Sequence, residues 1–274
     1  MTRLVNRHPD RPTRLLLAML PFALLIAAYA IGSDLRLAEN PNDKLLPSFR
    51  ALGDAIERMA FTPDKRTGDY LLWVDTVASL TRIGGGVAIA TVFGLLVGVS
   101  VGLLPYARAT LGGFLSAVAM IPPLAILPIL FILFGLGELS KFVLVFAGIG
   151  PFIARDIAMR VAELPTEQII KAQTLGASTW QICTRVVLPQ VWPRLMDSVR
   201  LSLGAAWLFL IAAEAVASQD GLGYRIFLMR RYLAMDVILP YVAWITVLAF
   251  SFDWLLRALQ TRLFPWFALE GGSR

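Results

Sequence analysis

The chain has 274 residues, 57% of them apolar and 16% charged, with a formal net charge of +6. That is enough chain for a large core but too little polar surface to cover one in water, so the composition points to lipid as the solvent. One cysteine, Cys183, and one histidine, His8, exclude disulfide frameworks, Cys/His zinc sites and histidine-based triads, and the arginines sit at the ends of apolar runs rather than in the aromatic-laced stripe that nucleic acid requires.

A spanning helix needs roughly 20 mostly apolar residues. Residues 15–33 form the first such window, following a basic tail, 1–14, with Arg3, Arg7, Arg11 and Arg14, which places its start in the cytoplasm. Ala28-Tyr29-Ala30 also fits a small-x-small cleavage site, so a removed signal peptide is the competing reading of this window. Residues 34–75 mix acids and bases evenly, as an external segment would; within them Ser48 is placed to cap a helix with Phe49, Leu52, Ile56 and Met59 on one face and Arg50, Asp54 and Glu57 on the other. That pattern predicts a helix lying on the outer membrane face, with docking of an external partner as the second reading.

Windows 83–107 and 109–137 predict a helical hairpin turned at Pro105-Tyr106-Ala107-Arg108. Gly94, Gly98 and Gly102 put a small residue at every fourth position, the face that lets helix backbones approach closely. Pro122, Pro123 and Pro128 each remove a backbone donor from the next window, predicting either a bend at a gate or cavity or simply shaped packing. The fourth window, 142–154, spans only if Arg155 or Arg160 reaches the headgroups. Windows 201–219 and 237–256 contain Glu214 and Asp253. Glu214 lies well inside its window, where a charge requires either a clamp, with Arg225 or Arg230 as partner, or a watery pathway. Arg160, Lys171, Arg185, Arg194 and Arg200 within 157–200, and Arg257, Arg262 and Arg274 towards the end, make both segments cytoplasmic, whereas Arg225, Arg230 and Arg231 fall outside against the same rule.

The stretch 163–189 is amphipathic and too polar to span. Pro165 suits a first helical turn, Glu167 complements its dipole, and Gly176 stands where a helix ends. Ser178-Thr179-Trp180-Gln181 is a capping box that starts a second short helix, whose Cys183, Val186 and Val187 follow helical spacing. Pro189 and Pro193 then predict an interruption before the next span.

Ala172, three residues, Gly176, nine residues and Val186-Val187-Leu188-Pro189 resemble the EAA loop of ATP-binding cassette importer permeases, with Ile170 and Lys171 where that family has Glu and Ala. Further along, Ser79-Leu80-Thr81-Arg82, Ile121-Pro122-Pro123-Leu124, Phe134-Gly135-Leu136-Gly137-Glu138, Gly221-Leu222-Gly223-Tyr224 and Pro265-Trp266 look like the nitrate, sulfonate and taurine branch. The resemblance implies an all-α polytopic membrane protein of about six transmembrane helices, with a permease core at 76–266, a cytoplasmic coupling loop at 157–200 and a cytoplasmic tail at 267–274. It further implies a multi-pass permease subunit of the bacterial inner membrane, with both termini cytoplasmic. Its partners would be a second permease copy in a homodimer, two cytoplasmic ATPases and an external solute-binding protein. Ala172, Gly176, Ala177, Ser178, Trp180, Val186, Leu188 and Pro189 would meet the ATPase, and Pro122, Pro123 and Glu214 are the pathway or gate candidates. No lysine follows a glycine, so the chain lacks the phosphate-cradling loop; it is expected to be no enzyme, to bind no cofactor, and to leave ATP to the partner. The solute would be a small anion such as nitrate, a sulfonate or a taurine-like compound. A self-contained ion-coupled carrier or channel is the alternative.

Overall fold

The computed structural model describes residues 10–41 and 43–267. Arg3, Arg7, His8 and Arg274, with the ends of both predicted tails, lie outside the described residues. The helices are α1 (Arg11–Glu39), α2 (Phe49–Ala60), α3 (Leu71–Leu103), α4 (Pro105–Val118), α5 (Pro123–Phe134), α6 (Glu138–Ala162), α7 (Thr166–Thr174), α8 (Thr179–Ile182), α9 (Leu188–Ala217), α10 (Leu222–Arg230) and α11 (Met235–Leu263). Among the described residues five helices are long and apolar enough to cross a membrane, or six if the bent pair α4–α5 counts as one span. The chain forms two compact units, Met1–Tyr70 with Met229–Pro240, and Leu71–Leu228 with Tyr241–Arg274.

In the smaller unit α1 runs unbroken through Ala28-Tyr29-Ala30 to Glu39. Its apolar residues stay exposed, Leu16 and Leu25 by 72% and 70%, which suits a lipid-facing helix. Tyr29 donates to the Pro47 carbonyl at 2.6 Å and Ser33 to that of Leu46 at 3.0 Å, fastening the chain that leads into α2. There the Ser48 hydroxyl caps α2 as expected, accepting from the Ala51 amide at 3.2 Å. Phe49 and Ile56 remain exposed on its apolar face, while Ala55 and Ala60 are buried and Arg58 pairs with Asp236 at 3.2 Å.

The larger unit is organised by α3 and α6. A side chain at Gly86, Gly94, Gly98 or Gly102 would meet Val145, Ile153, Ile157 or Val161 of α6 at 2.5–2.7 Å, so the glycine stripe is the surface on which the two backbones close. Overpacking a well-filled core costs about 1–3 kcal/mol. Gly98→Leu, whose Cβ would also reach the Ala154 carbonyl at 2.7 Å, is therefore expected to destabilise the purified protein by at least that much in thermal unfolding. Gly84→Ala, where nothing lies within 4 Å, serves as the control and should not lower the transition.

The window 109–137 bends at its prolines, one of the two outcomes expected there: α4 and α5 meet at 96°, across a break that ends in Pro122 at the N-cap and Pro123 in the first turn of α5. Two consecutive prolines force extended backbone before them and remove two donors, so the helix must stop and restart there. One expectation is corrected: Pro189 and Pro193 do not interrupt the chain, for α8 continues through a π-helical turn, Cys183–Val187, directly into α9. The Leu188 amide reaches back five residues to the Cys183 carbonyl, and this wide turn makes room ahead of the Pro189 ring. The helices also outrun their predicted windows: α3 begins at Leu71 and α6 covers 25 residues with Lys141 and Arg155 inside it.

Candidate functional site

The polar stretch folds into two capped helices joined by a tight turn. Pro165 is the N-cap of α7, one position before the expected place, and Glu167 lies in the first turn. After α7 the Gly176 amide donates to Gln173 at 2.9 Å and the Ala177 amide to Ala172 at 3.0 Å, the paired bonds of a Schellman motif, with Gly176 at φ 78°. Directly after it Ser178 and Gln181 form the reciprocal capping box, the Ser178 amide donating to Gln181 Oε1 at 2.8 Å and the Gln181 amide to Ser178 Oγ at 3.3 Å. Gln190 Nε2 donates to Gln168 Oε1 at 3.0 Å and to the Val186 carbonyl at 2.8 Å, tying α7 to the start of α9.

No residue of α7 is buried. Leu175 is 87% and Trp180 75% exposed, and Gly176, Ser178 and Pro189 are also exposed, while Ala172, Ala177, Val186 and Leu188 are half-buried. The element is anchored instead by Ile182 and Val187, which are buried. Its turn is fixed by six backbone and side-chain hydrogen bonds, and it presents large apolar side chains to the outside.

A second constellation lies at the opposite end of α3. Asp75, Ser79 and Arg82 follow one another at four- and three-residue spacing, so they share one face, and all three are buried. Every N–H of Arg82 is used. Nε and Nη2 donate to Glu138 at 2.6 and 2.8 Å, Nη1 to Glu214 at 2.9 Å and to the Asp220 carbonyl at 3.0 Å, and Nη2 also to the Asp220 carboxylate at 2.5 Å. Lys141 joins from the next turn of α6, at 2.7 Å from Glu138.

The loop that opens α10 is held from the same cluster. Its three consecutive amides, Gly221, Leu222 and Gly223, donate to Asp75 at 2.9 Å, Ser79 at 2.8 Å and Glu214 at 2.8 Å. The unpaired donors and the positive dipole end of α10 are thus met by the Asp75 and Glu214 carboxylates and the Ser79 hydroxyl. Gly221 has φ 112°, and a Cβ there would stand 2.5 Å from the Glu214 carboxylate, so both the conformation and the close approach require glycine. Asp75 also accepts from Arg225 Nε at 2.8 Å and from the Tyr241 hydroxyl at 3.1 Å.

Glu214 therefore pairs with Arg82, while Arg225, one of the expected partners, belongs to Asp75. Glu214 is fully buried, so its carboxylate meets no open lumen. Sequence reasoning missed Asp75, Lys141, Asp220 and Tyr241; the one available signal was the shared face of Asp75, Ser79 and Arg82 at the head of an apolar helix. Pro122 and Pro123 stand apart from this cluster, at the α4–α5 break, with Met120 and Ile121 exposed beside them. Among the described residues no group of three or more His, Cys, Asp or Glu is arranged to hold a metal.

Residues 90–265 match the family model of the binding-protein-dependent transport system inner membrane component. The taurine transport system permease protein TauC of Escherichia coli K12 is 39% identical over 198 residues, 72% of each chain. The bicarbonate transport system permease protein CmpB of Synechococcus elongatus is 34% identical over 54% of this chain and 53% of its own, and the putative aliphatic sulfonates transport permease protein SsuC of Bacillus subtilis 27% over 69% and 68%. In fold, the inward-facing MetNI methionine ABC transporter superposes with a TM-score of 0.56 at 22% identity, over 70% of this chain and 94% of that one. With the family model covering well over half its length, the chain belongs to the binding-protein-dependent transport system inner membrane components, as an ABC importer permease subunit of the nitrate, sulfonate and taurine branch.

Proposed function

We propose that two copies of this chain form the solute pathway of an ATP-driven importer, with two cytoplasmic ATPases below and a solute-binding protein above. The observation that carries this reading is the rigid, exposed α7–Gly176–α8 element, whose Leu175 and Trp180 need a partner surface to cover them. Ala172, Gly176, Ala177, Ser178, Trp180, Val186, Leu188 and Pro189 make up the surface or its frame, and ATP is bound and hydrolysed by the partner alone. Both termini and the loop 157–200 face the cytoplasm, which puts the Arg82 cluster and α2 at the external side. α2 then lies on the outer leaflet with Phe49 and Ile56 towards lipid.

Within the pathway the α4–α5 break supplies the gate, since Pro122 and Pro123 leave a bend with no continuous backbone ladder to resist movement. Glu214 is a clamp, not a pathway residue. The solute is a small anion: relatives carrying the names of taurine, sulfonate and bicarbonate systems share this scaffold. A self-contained carrier needs titratable groups facing a lumen, and the buried carboxylates Asp75 and Glu214 are both fully engaged.

The test is to isolate the chain from its native membrane. An ATPase should copurify, and the associated external binding protein should shift its melting temperature with one class of small anion. A chain that purifies alone and still transports in liposomes overturns the reading.

A further inference from the structure

α6 carries an arginine that the fold does not pair. Arg155 lies seven residues before the end of α6, about 10 Å along the axis, and its guanidinium makes no ion pair or hydrogen bond among the described residues. The acid beside it is already engaged, for Asp156 accepts from the Ser198 hydroxyl and pairs with Arg160 at 3.6 Å, while Arg160 also meets Glu163. Arg155 is exposed on a helix long and apolar enough to cross a membrane, where a cation without an acid partner is rare and marks a candidate site.

What surrounds Arg155 specifies the site. Its side chain lines a cavity of about 300 Å³ between α4 and α6 that also takes in Arg108, Gly112, Ser116 and Met159. Two arginines and no acid line this space. Arg108 is held at its edge by bonds to the Val101 carbonyl, at 3.3 Å, and to that of Gly102, which fix its charge where the cavity begins. Ser116 adds a hydroxyl donor to the lining. An open cleft with apolar walls and charge of one sign attracts an anion, and a guanidinium presents paired donors matched to a sulfonate, carboxylate or carbonate edge.

We propose that Arg155, with Arg108 and Ser116, is a transit site for the oxyanion group of the imported solute. This rests on the reading of the chain as an importer of small anions, and extends it from the family to a named site.

The test uses the complete importer in proteoliposomes, with permease, ATPase and binding protein, and as probe whichever of taurine, methanesulfonate or bicarbonate the wild type accumulates. Arg155→Gln is expected to lower uptake at least tenfold while leaving binding-protein-stimulated ATP hydrolysis within twofold and the melting temperature unchanged; Arg155→Lys should recover part of the uptake. Saturation-transfer NMR on the detergent-purified complex, without binding protein, should show methanesulfonate contact in the wild type and none in Arg155→Gln. Unchanged uptake in Arg155→Gln overturns the site, as does loss of hydrolysis and melting temperature together with uptake, which would make Arg155 structural. The same assay in phosphatidylcholine with and without phosphatidylglycerol separates a lipid phosphate from the solute: wild-type uptake that requires the anionic lipid, beside an Arg155→Gln variant indifferent to it, also overturns the site. A wild-type complex that accumulates none of the three probes overturns the anion-importer reading itself, and the site with it.

Discussion

Arg82→Met is expected to be the most destabilising single substitution in the larger unit. Its guanidinium bridges Glu138, Glu214 and Asp220, and two of those carboxylates, Glu138 and Asp220, are half-exposed and would be rehydrated cheaply. Glu214 would not. It is fully buried, and losing Arg82 leaves its charge with only the Ser79 hydroxyl and the Gly223 amide. Breaking a buried pair from one side typically costs about 3–5 kcal/mol because the remaining charge is stranded. Glu214→Leu should cost less, because Arg82 keeps Glu138 and Asp220 and only the Gly223 amide loses its acceptor. The double variant Arg82→Met/Glu214→Leu should then be clearly more stable than the sum of the singles predicts, with coupling of about 1–3 kcal/mol in a double-mutant cycle read by thermal unfolding of the purified complex. Additive losses would show that the two side chains do not act as a pair.

That cluster explains why several short sequence stretches, far apart in the chain, occur together. Ser79 and Arg82, Glu138, and Gly221 and Gly223 are three separate motifs by position, and one buried unit in space. Each could be seen in the sequence; that they meet could not, since long-range pairing leaves no local periodicity. The same limit applies to Glu214. Its placement in an apolar window announced the need for a partner, but the arginine nearest in sequence, Arg225, pairs with Asp75 instead.

Local chemistry fared better. The Ser48 cap, the Ser178–Gln181 capping box and the Gly176 stop depend only on neighbours within four residues, and all three form. The glycine stripe was equally legible because small residues at i, i+4 and i+8 have a single geometric use, close approach. Where hydropathy misled was at the prolines, which act in opposite ways. Pro122-Pro123 breaks its window, whereas Pro189 and Pro193 are absorbed into a helix that continues through a π turn. Composition carries no information about which outcome a proline will have; the backbone available around it decides.

Gly176→Val is expected to abolish ATP-driven uptake while leaving the spans inserted. Space is not the obstacle, since a Cβ at this position would meet nothing within 4 Å. The obstacle is conformation: at φ 78° a β-branched residue pays about 1–2 kcal/mol or more, and the chain escapes that cost by opening the Schellman turn. Opening it frees the Ala177-to-Ala172 and Gly176-to-Gln173 bonds and lets α7 swing away from Ser178, where the capping box begins. The surface carrying Leu175 and Trp180 would then lose its fixed shape without any change in the helices that span. Asn tolerates the left-handed region far better than valine, so Gly176→Asn should keep most of the uptake, and the pair separates backbone conformation from side-chain bulk. ATPase copurification and vesicle uptake measure the outcome: equal loss in both variants would show that the partner reads the bare glycine surface, and wild-type coupling in Gly176→Val would show that the turn does not transmit the ATPase motion at all.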